Sequence, residues 1–159
     1  MKAFFLAALA AFVSADASDF PTHNSGHAHC ELDSPWSNTS CDTLWEEIDA
    51  QVRVYGSGDA AGGVYSVYEE EDPEYVWATR RTGGKAKYVD DVIYELTQSG
   101  TTCDVRGRSR SQSMSYIDYD TNYCNIWNVY NSVGGYSDLY TTGDCPFIPD
   151  DAATQCDLY

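Results

Sequence analysis

Positive charge is what this chain has least of: nine Lys and Arg stand against 25 Asp and Glu, a formal net charge of −16. A field of that sign repels nucleic acid and anionic membranes, so neither is expected as a partner. It favours calcium, polyamines or basic proteins, and it keeps a chain dissolved in a salty medium. Long apolar runs are missing as well. Beyond a short leader no stretch could cover a bilayer, so no membrane span is expected. Enzyme signatures are equally scarce. The sequence holds no Gly-x-Ser-x-Gly elbow, no His-Glu-x-x-His and no phosphate loop. No Cys-x-x-Cys occurs and the cysteine spacings match no zinc module. Catalysis is therefore not expected.

Among the features present, the leader and the cysteines weigh most. Lys2 is followed by the apolar run Ala3–Val13 and by Ala15-Asp16-Ala17, a small-x-small cleavage pattern. Residues 1–17 thus read as a secretory signal peptide, which places the rest in a secreted, extracellular and oxidising setting. There the six cysteines, Cys30, Cys41, Cys103, Cys124, Cys145 and Cys156, should form three disulfides. Short loops close most readily, so the expected pairing joins neighbours: Cys30–Cys41, Cys103–Cys124 and Cys145–Cys156. Asn38-Thr39-Ser40 is an N-glycosylation sequon, with Asn38 as acceptor.

Organisation follows from periodicity. Residues 18–40 are polar and read as an N-terminal arm pinned by Cys30, and residues 41–159 as one disulfide-braced domain. Leu44, Trp45, Ile48 and Val52 have helical spacing, with Ser40 or Asp42 to cap the start and Gly56 past the end. Val64–Glu69, Tyr75–Arg81, Tyr88–Thr97 and Thr102–Ser111 carry strand patterns. An acidic turn at Asp72-Pro73, a hairpin turn at Thr82-Gly83-Gly84-Lys85 and Gln98-Ser99-Gly100 join them. Such links are too short for parallel crossovers, so an antiparallel meander is expected. Residues 122–133 suit a second helix ending at Gly134-Gly135. The fold class is α+β: an N-terminal helix packed on an antiparallel sheet of four to six strands.

One stretch carries a family resemblance. Asp90-Asp91-Val92-Ile93-Tyr94, Val105-Arg106-Gly107-Arg108-Ser109-Arg110 and Asp118-Tyr119-Asp120-Thr121-Asn122 follow one another between Tyr88 and Asn125. In order and spacing they resemble the family catalogued as "domain of unknown function 1499", which shows D-D-V-aromatic, V-R-S-x-S-R and D-x-G-x-N elements. The chain departs from that pattern by extra residues after Arg110, by Asp120 in place of glycine and by lacking a basic helix. Since that family has no settled activity, the resemblance implies a fold rather than a function.

Four constellations could carry chemistry. Arg106, Arg108 and Arg110 alternate on one strand and should share a face, as an anion-binding ladder or as partners of Asp90, Asp91, Asp118 or Asp120. Asp118, Asp120 and Asn122 echo the start of a calcium loop. Tyr123 and Val129 stand where an EF-hand needs glycine and glutamate, so no EF-hand is expected; the residues read as a side-chain-bonded turn or as a weak, looser calcium site, and no other cofactor is expected. His23, His27 and His29 could in principle hold zinc or copper but read as part of a solvated arm. Thirteen tyrosines and four tryptophans include Tyr65, Tyr75, Trp77 and Tyr94, which could line an aromatic face or build the sheet core.

Together these readings point to a non-catalytic extracellular domain for binding or assembly, as a cell-surface or matrix component or a binding module. Its partner would be an extracellular polymer, a glycan or a second copy of the chain. One alternative is a small secreted hydrolase using Asp118 or Asp120 with Arg110 as an electrostatic clamp. Another is a carrier holding a small apolar ligand between helix and sheet.

Overall fold

The computed structural model describes residues 16–22, 24–85, 87–141 and 145–158; most of the expected leader and His23 lie outside them. Its centre is a six-stranded antiparallel sheet in the order β2-β3-β4-β5-β1-β6. Strands β2 (Val64–Glu71), β3 (Tyr75–Arg81), β4 (Val89–Ser99) and β5 (Thr102–Ser111) form the expected meander. The α+β class is therefore the observed one.

The first strand is where sequence and structure part. Residues 18–40 are not an arm along their length, because β1 (His29–Ser37) runs antiparallel beside β5, with Leu32 opposite Gly107. Its alternate residues Cys30, Leu32, Ser34 and Trp36 are buried. Trp36 Nε1 donates to the Gly134 carbonyl at 2.7 Å, tying the strand to the end of a helix. Polar residues at the alternate positions lowered the apparent hydrophobicity of a strand that lies inside the sheet. The two-residue β6 (Tyr140–Thr141) pairs with Leu32 and Asp33 on the far side.

Two helices cover one face. α1 (Cys41–Val54) starts where Ser40 Oγ accepts the Thr43 N–H, and it turns Leu44, Ile48 and Val52 inward. α2 (Thr121–Val133) lies against β5 at Gly107, where an added Cβ would stand 2.4 Å from Ile126 Cγ2. A side chain there would force the helix off the sheet. A short α3 (Ala152–Gln155) precedes Cys156. Gly83 in the hairpin lies outside the left-handed region, and its missing side chain admits the Ala61 carbonyl, 2.4 Å from where a Cβ would be.

All six cysteines are paired, but in none of the three expected pairs. Cys30 bonds Cys145, Cys41 bonds Cys103, and Cys124 bonds Cys156, closing separations of 115, 62 and 32 residues. The bridges join β1 to the C-terminal segment, the start of α1 to β5, and α2 to the residue after α3. Short-loop entropy is outweighed because folding has already brought these distant segments together. Among the described residues, no helix is long and apolar enough to cross a membrane.

Candidate functional site

The open face of the sheet carries the arginines. Arg106, Arg108 and Arg110 do share it, as their alternation on β5 requires. Their partners are not the aspartates expected. Arg106 pairs with Glu31 at 2.6 Å, and Arg108 Nε donates to Glu95 Oε2 at 2.8 Å, both from flanking strands. Arg110 forms no ion pair with a described residue, and its buried Nε has no hydrogen-bond partner. It lines a pocket of about 220 Å³ with Phe20, His29, Glu31 and Arg108. The ladder thus reduces to one unpaired guanidinium, with Glu31 in the same pocket and Asp91 directly across the strand pair.

The four aromatics do not make a face. Tyr75 and Trp77 lie on the open side, where Phe20 packs on Trp77 with ring centroids 5.3 Å apart. Tyr65 and Tyr94 point the other way into the helix-covered core, donating to the Asn125 carbonyl at 2.8 and 3.0 Å. All four are buried, so the aromatic-face expectation is corrected to a core role. His27 and His29 are likewise held, with His27 Nδ1 2.9 Å from the Ser111 carbonyl and His29 Nδ1 2.9 Å from the His27 carbonyl. His23 lies outside the described residues.

Between sheet and α2 runs a polar network that sequence reasoning missed. Arg80, fully buried, donates from Nε to Asp59 Oδ2 at 2.7 Å and from Nη1 to Asn125 Oδ1 at 3.0 Å. Asn125 Nδ2 donates to Asp90 Oδ2 at 2.9 Å, and Ser111 Oγ donates to Asp90 Oδ1 at 2.7 Å. Ser109 Oγ continues the chain to Asn122 Oδ1 at 2.7 Å. One signal was available: Val76, Ala78 and Arg80 occupy the same inward face of β3, so Arg80 had to be buried with them. Burial raises the Asp90 pKa, opposed by the Ser111 and Asn125 donors and by Arg80.

The network ends at a pocket of about 120 Å³ beside the start of α2. Asp90, Ser111 and Asp118 form its inner wall, while Tyr88, Ile117 and Tyr119 stand among the residues around it. Asp118, 6% exposed, accepts the Asn122 N–H through Oδ1 at 3.0 Å and so caps the helix. Its Oδ2 is buried away from solvent, as is Asn122 Nδ2, and the Asn122 side chain is its polar neighbour. The expected calcium triad is not assembled in this geometry. Asn122 Oδ1 is taken by Ser109, and no group of three or more His, Cys, Asp or Glu among the described residues could hold a metal ion. Tyr119 and Asp120 hold left-handed backbones, φ 49° and 65°, which turn the chain sharply at the pocket edge.

Burial lifts the Asp118 pKa to about 7. The Asn122 hydrogen bonds oppose that rise, and the charges of Asp90 and Asp120 add to it. A carboxyl whose folded pKa is raised binds its proton more tightly folded than unfolded. Its contribution is therefore full below the unfolded value and is lost as pH rises toward 7. Wild-type stability should fall across that window by at most roughly 3–4 kcal/mol from this group. Asp118→Asn should flatten the decline, as urea unfolding between pH 4 and pH 8 will read; an unchanged slope would assign it elsewhere.

Around this pocket the surface is unusually apolar. Tyr88, Met114, Tyr116, Ile117 and Tyr119 are between 55% and 78% exposed, four of them within one turn-rich loop. Concentration in one place, rather than single exposed residues, distinguishes the patch.

No family model and no curated protein matches the chain. Among solved structures it is similar to CalU16 from Micromonospora echinospora, at 10% identity and a TM-score of 0.47, over 66% of this chain and 74% of that one. It is also similar to Mll3558 from Rhizobium loti, at 14% identity and a TM-score of 0.45, over 70% of this chain and 96% of that one. These likenesses lend nothing to function.

Proposed function

We propose that the chain is a secreted, non-catalytic binding domain for an extracellular polymer, and that the loop from Gln112 to Asp120 with Tyr88 is its contact surface. The observation that carries this reading is the run of four large exposed apolar side chains, Met114, Tyr116, Ile117 and Tyr119, in one loop, of which Ile117 and Tyr119 line one pocket together with the exposed Tyr88. Charge argues for the kind of partner: copies of a chain at −16 repel one another, so a cationic polymer is favoured over self-association. Three disulfides suit an oxidising, extracellular location, and the exposed Asn38 in the turn after β1 offers a place for a glycan.

The hydrolase alternative has less support. Arg110 opens onto the pocket beneath Phe20 and is not among the residues lining the Asp118 pocket. Both Asp90 oxygens are engaged, so Asp118 has no free second carboxylate in that wall. The carrier alternative finds the space between helices and sheet filled by Leu32, Leu44, Ile48, Tyr94, Ile126 and Tyr130.

Serine at Met114, Tyr116 and Ile117 together should leave the fold intact and weaken binding to an insoluble cationic polymer at least tenfold in co-sedimentation. Light scattering with and without millimolar calcium should give a monomer in both. Undiminished binding by the variant would remove this surface, and assembly of the wild type would replace the polymer by a second copy.

A further inference from the structure

We infer that the leader is removed between Ala15 and Asp16, so that the mature chain keeps Asp16 and Ala17 and places its α-ammonium group beside Asp19. This rests on the reading of the chain as secreted and moves the boundary of its leader by two residues.

Local sequence leaves two places open. A leader is cut after a small residue that has another two positions before it. Ala15-Asp16-Ala17 has this form, and Val13-Ser14-Ala15 has it with valine in the first place. Contacts in the folded domain separate the two, because they exist only in a chain that retains the residues making them.

Asp16 is built into the fold. It caps the short helical turn Ala17–Asp19, where its Oδ1 accepts the Ser18 N–H at 2.7 Å and its carbonyl accepts the Asp19 N–H at 2.9 Å. Its own N–H donates to Asp19 Oδ2 at 3.2 Å, which closes a reciprocal capping box. A chain that starts at Ser18 keeps none of these bonds.

Ala17 then anchors Phe20. Both pack with Tyr75, Trp77 and Ile93 on the open face of the sheet. The Ala17 carbonyl accepts the Phe20 N–H at 3.3 Å and Arg108 Nη2 at 3.4 Å. Arg108 in turn lies over the Phe20 ring, with Cζ 4.7 Å from the centroid. Cutting after Ala17 would remove the carbonyl that ties Phe20 to Arg108.

Charge around the turn favours a cation. Burial and the negative charges of Glu69, Glu71, Asp16 and Glu74 raise the Tyr75 pKa, so those carboxylates converge on the start of β3, beside the turn. Cleavage after Ala15 converts the Asp16 N–H, already aimed at Asp19 Oδ2, into an ammonium that stays charged up to about pH 8. Its hydrogen bond to Asp19 becomes charge-assisted.

The test is N-terminal sequencing of the full precursor, expressed in a secreting eukaryotic host and purified from the medium. Asp-Ala-Ser-Asp-Phe is expected. Ser-Asp-Phe-Pro-Thr, or any other processed start, overturns the inference and leaves secretion standing. A chain held in the cells with Met1 in place overturns both. Oxidised chains released from a fusion partner at Asp16 and at Ser18 check the structural premise without the host's protease. The Asp16 chain should have the higher urea midpoint, and Asp19→Asn should lower that midpoint while leaving the Ser18 chain unchanged. Equal midpoints for the two starts would overturn the inference as well.

Discussion

Arg80→Met should destabilise the fold by about 3–5 kcal/mol, the largest effect expected of any single substitution away from the cysteines. The guanidinium and its partner Asp59 are both fully buried, with Arg80 Nη2 and Nε each 2.7 Å from Asp59 Oδ2. Removing it leaves a carboxylate in a dry interior with only the Gly63 N–H, 2.7 Å from Oδ1, and the long 3.5 Å contact of Asn128 to satisfy it. Asn125 Oδ1 loses its donor at the same moment. Adding Asp59→Asn to Arg80→Met should recover most of the loss, because a neutral amide oxygen can still accept from Gly63. Urea unfolding of the two single variants and the double will read the coupling. A double variant no better than Arg80→Met would show that the guanidinium acts through packing on Tyr65, whose ring centroid lies 5.7 Å from Cζ.

Removing any one disulfide by paired Cys→Ala substitution should cost about 4 kcal/mol, with little difference among the three. The separations of 115, 62 and 32 residues suggest a graded series. The bridges shortcut one another, however. With the other two intact, the route between Cys30 and Cys145, or between Cys41 and Cys103, is about 40 residues, close to the direct loop of the third. Loss of unfolded-state entropy is then nearly equal for each. Urea midpoints of the three double-cysteine variants test this. A variant at the wild-type midpoint would show that its bridge closes a loop the denatured chain already holds closed.

Legibility in the sequence followed distance along the chain. Ser40 as the cap of α1, Thr102–Ser111 as a strand, and Gly134 as the end of α2 were readable because each depends on a few adjacent residues. Arg106, Arg108 and Arg110 were placed on one face by simple alternation, yet Glu31 and Glu95 were not foreseen as partners. Glu31 lies on a strand that the polar composition of residues 18–40 had concealed. Met114, Tyr116 and Ile117 drew no attention in the sequence, where apolar residues suggest burial. Their significance is their exposure.

The sequence by itself determined the period-two strands, the two main helices, the turns between them and the α+β class, since hydrophobic periodicity and caps act over a single element. Only the tertiary structure decided which cysteines meet, that β1 enters beside β5, and that Tyr65 and Tyr94 face the helices while Tyr75 and Trp77 face away. It also decided that Asp59, Arg80, Asp90 and Asn125, up to 66 residues apart, form one buried network that ends at Asp118. Those outcomes depend on strand order and register, which fix distances between residues that local preferences never relate.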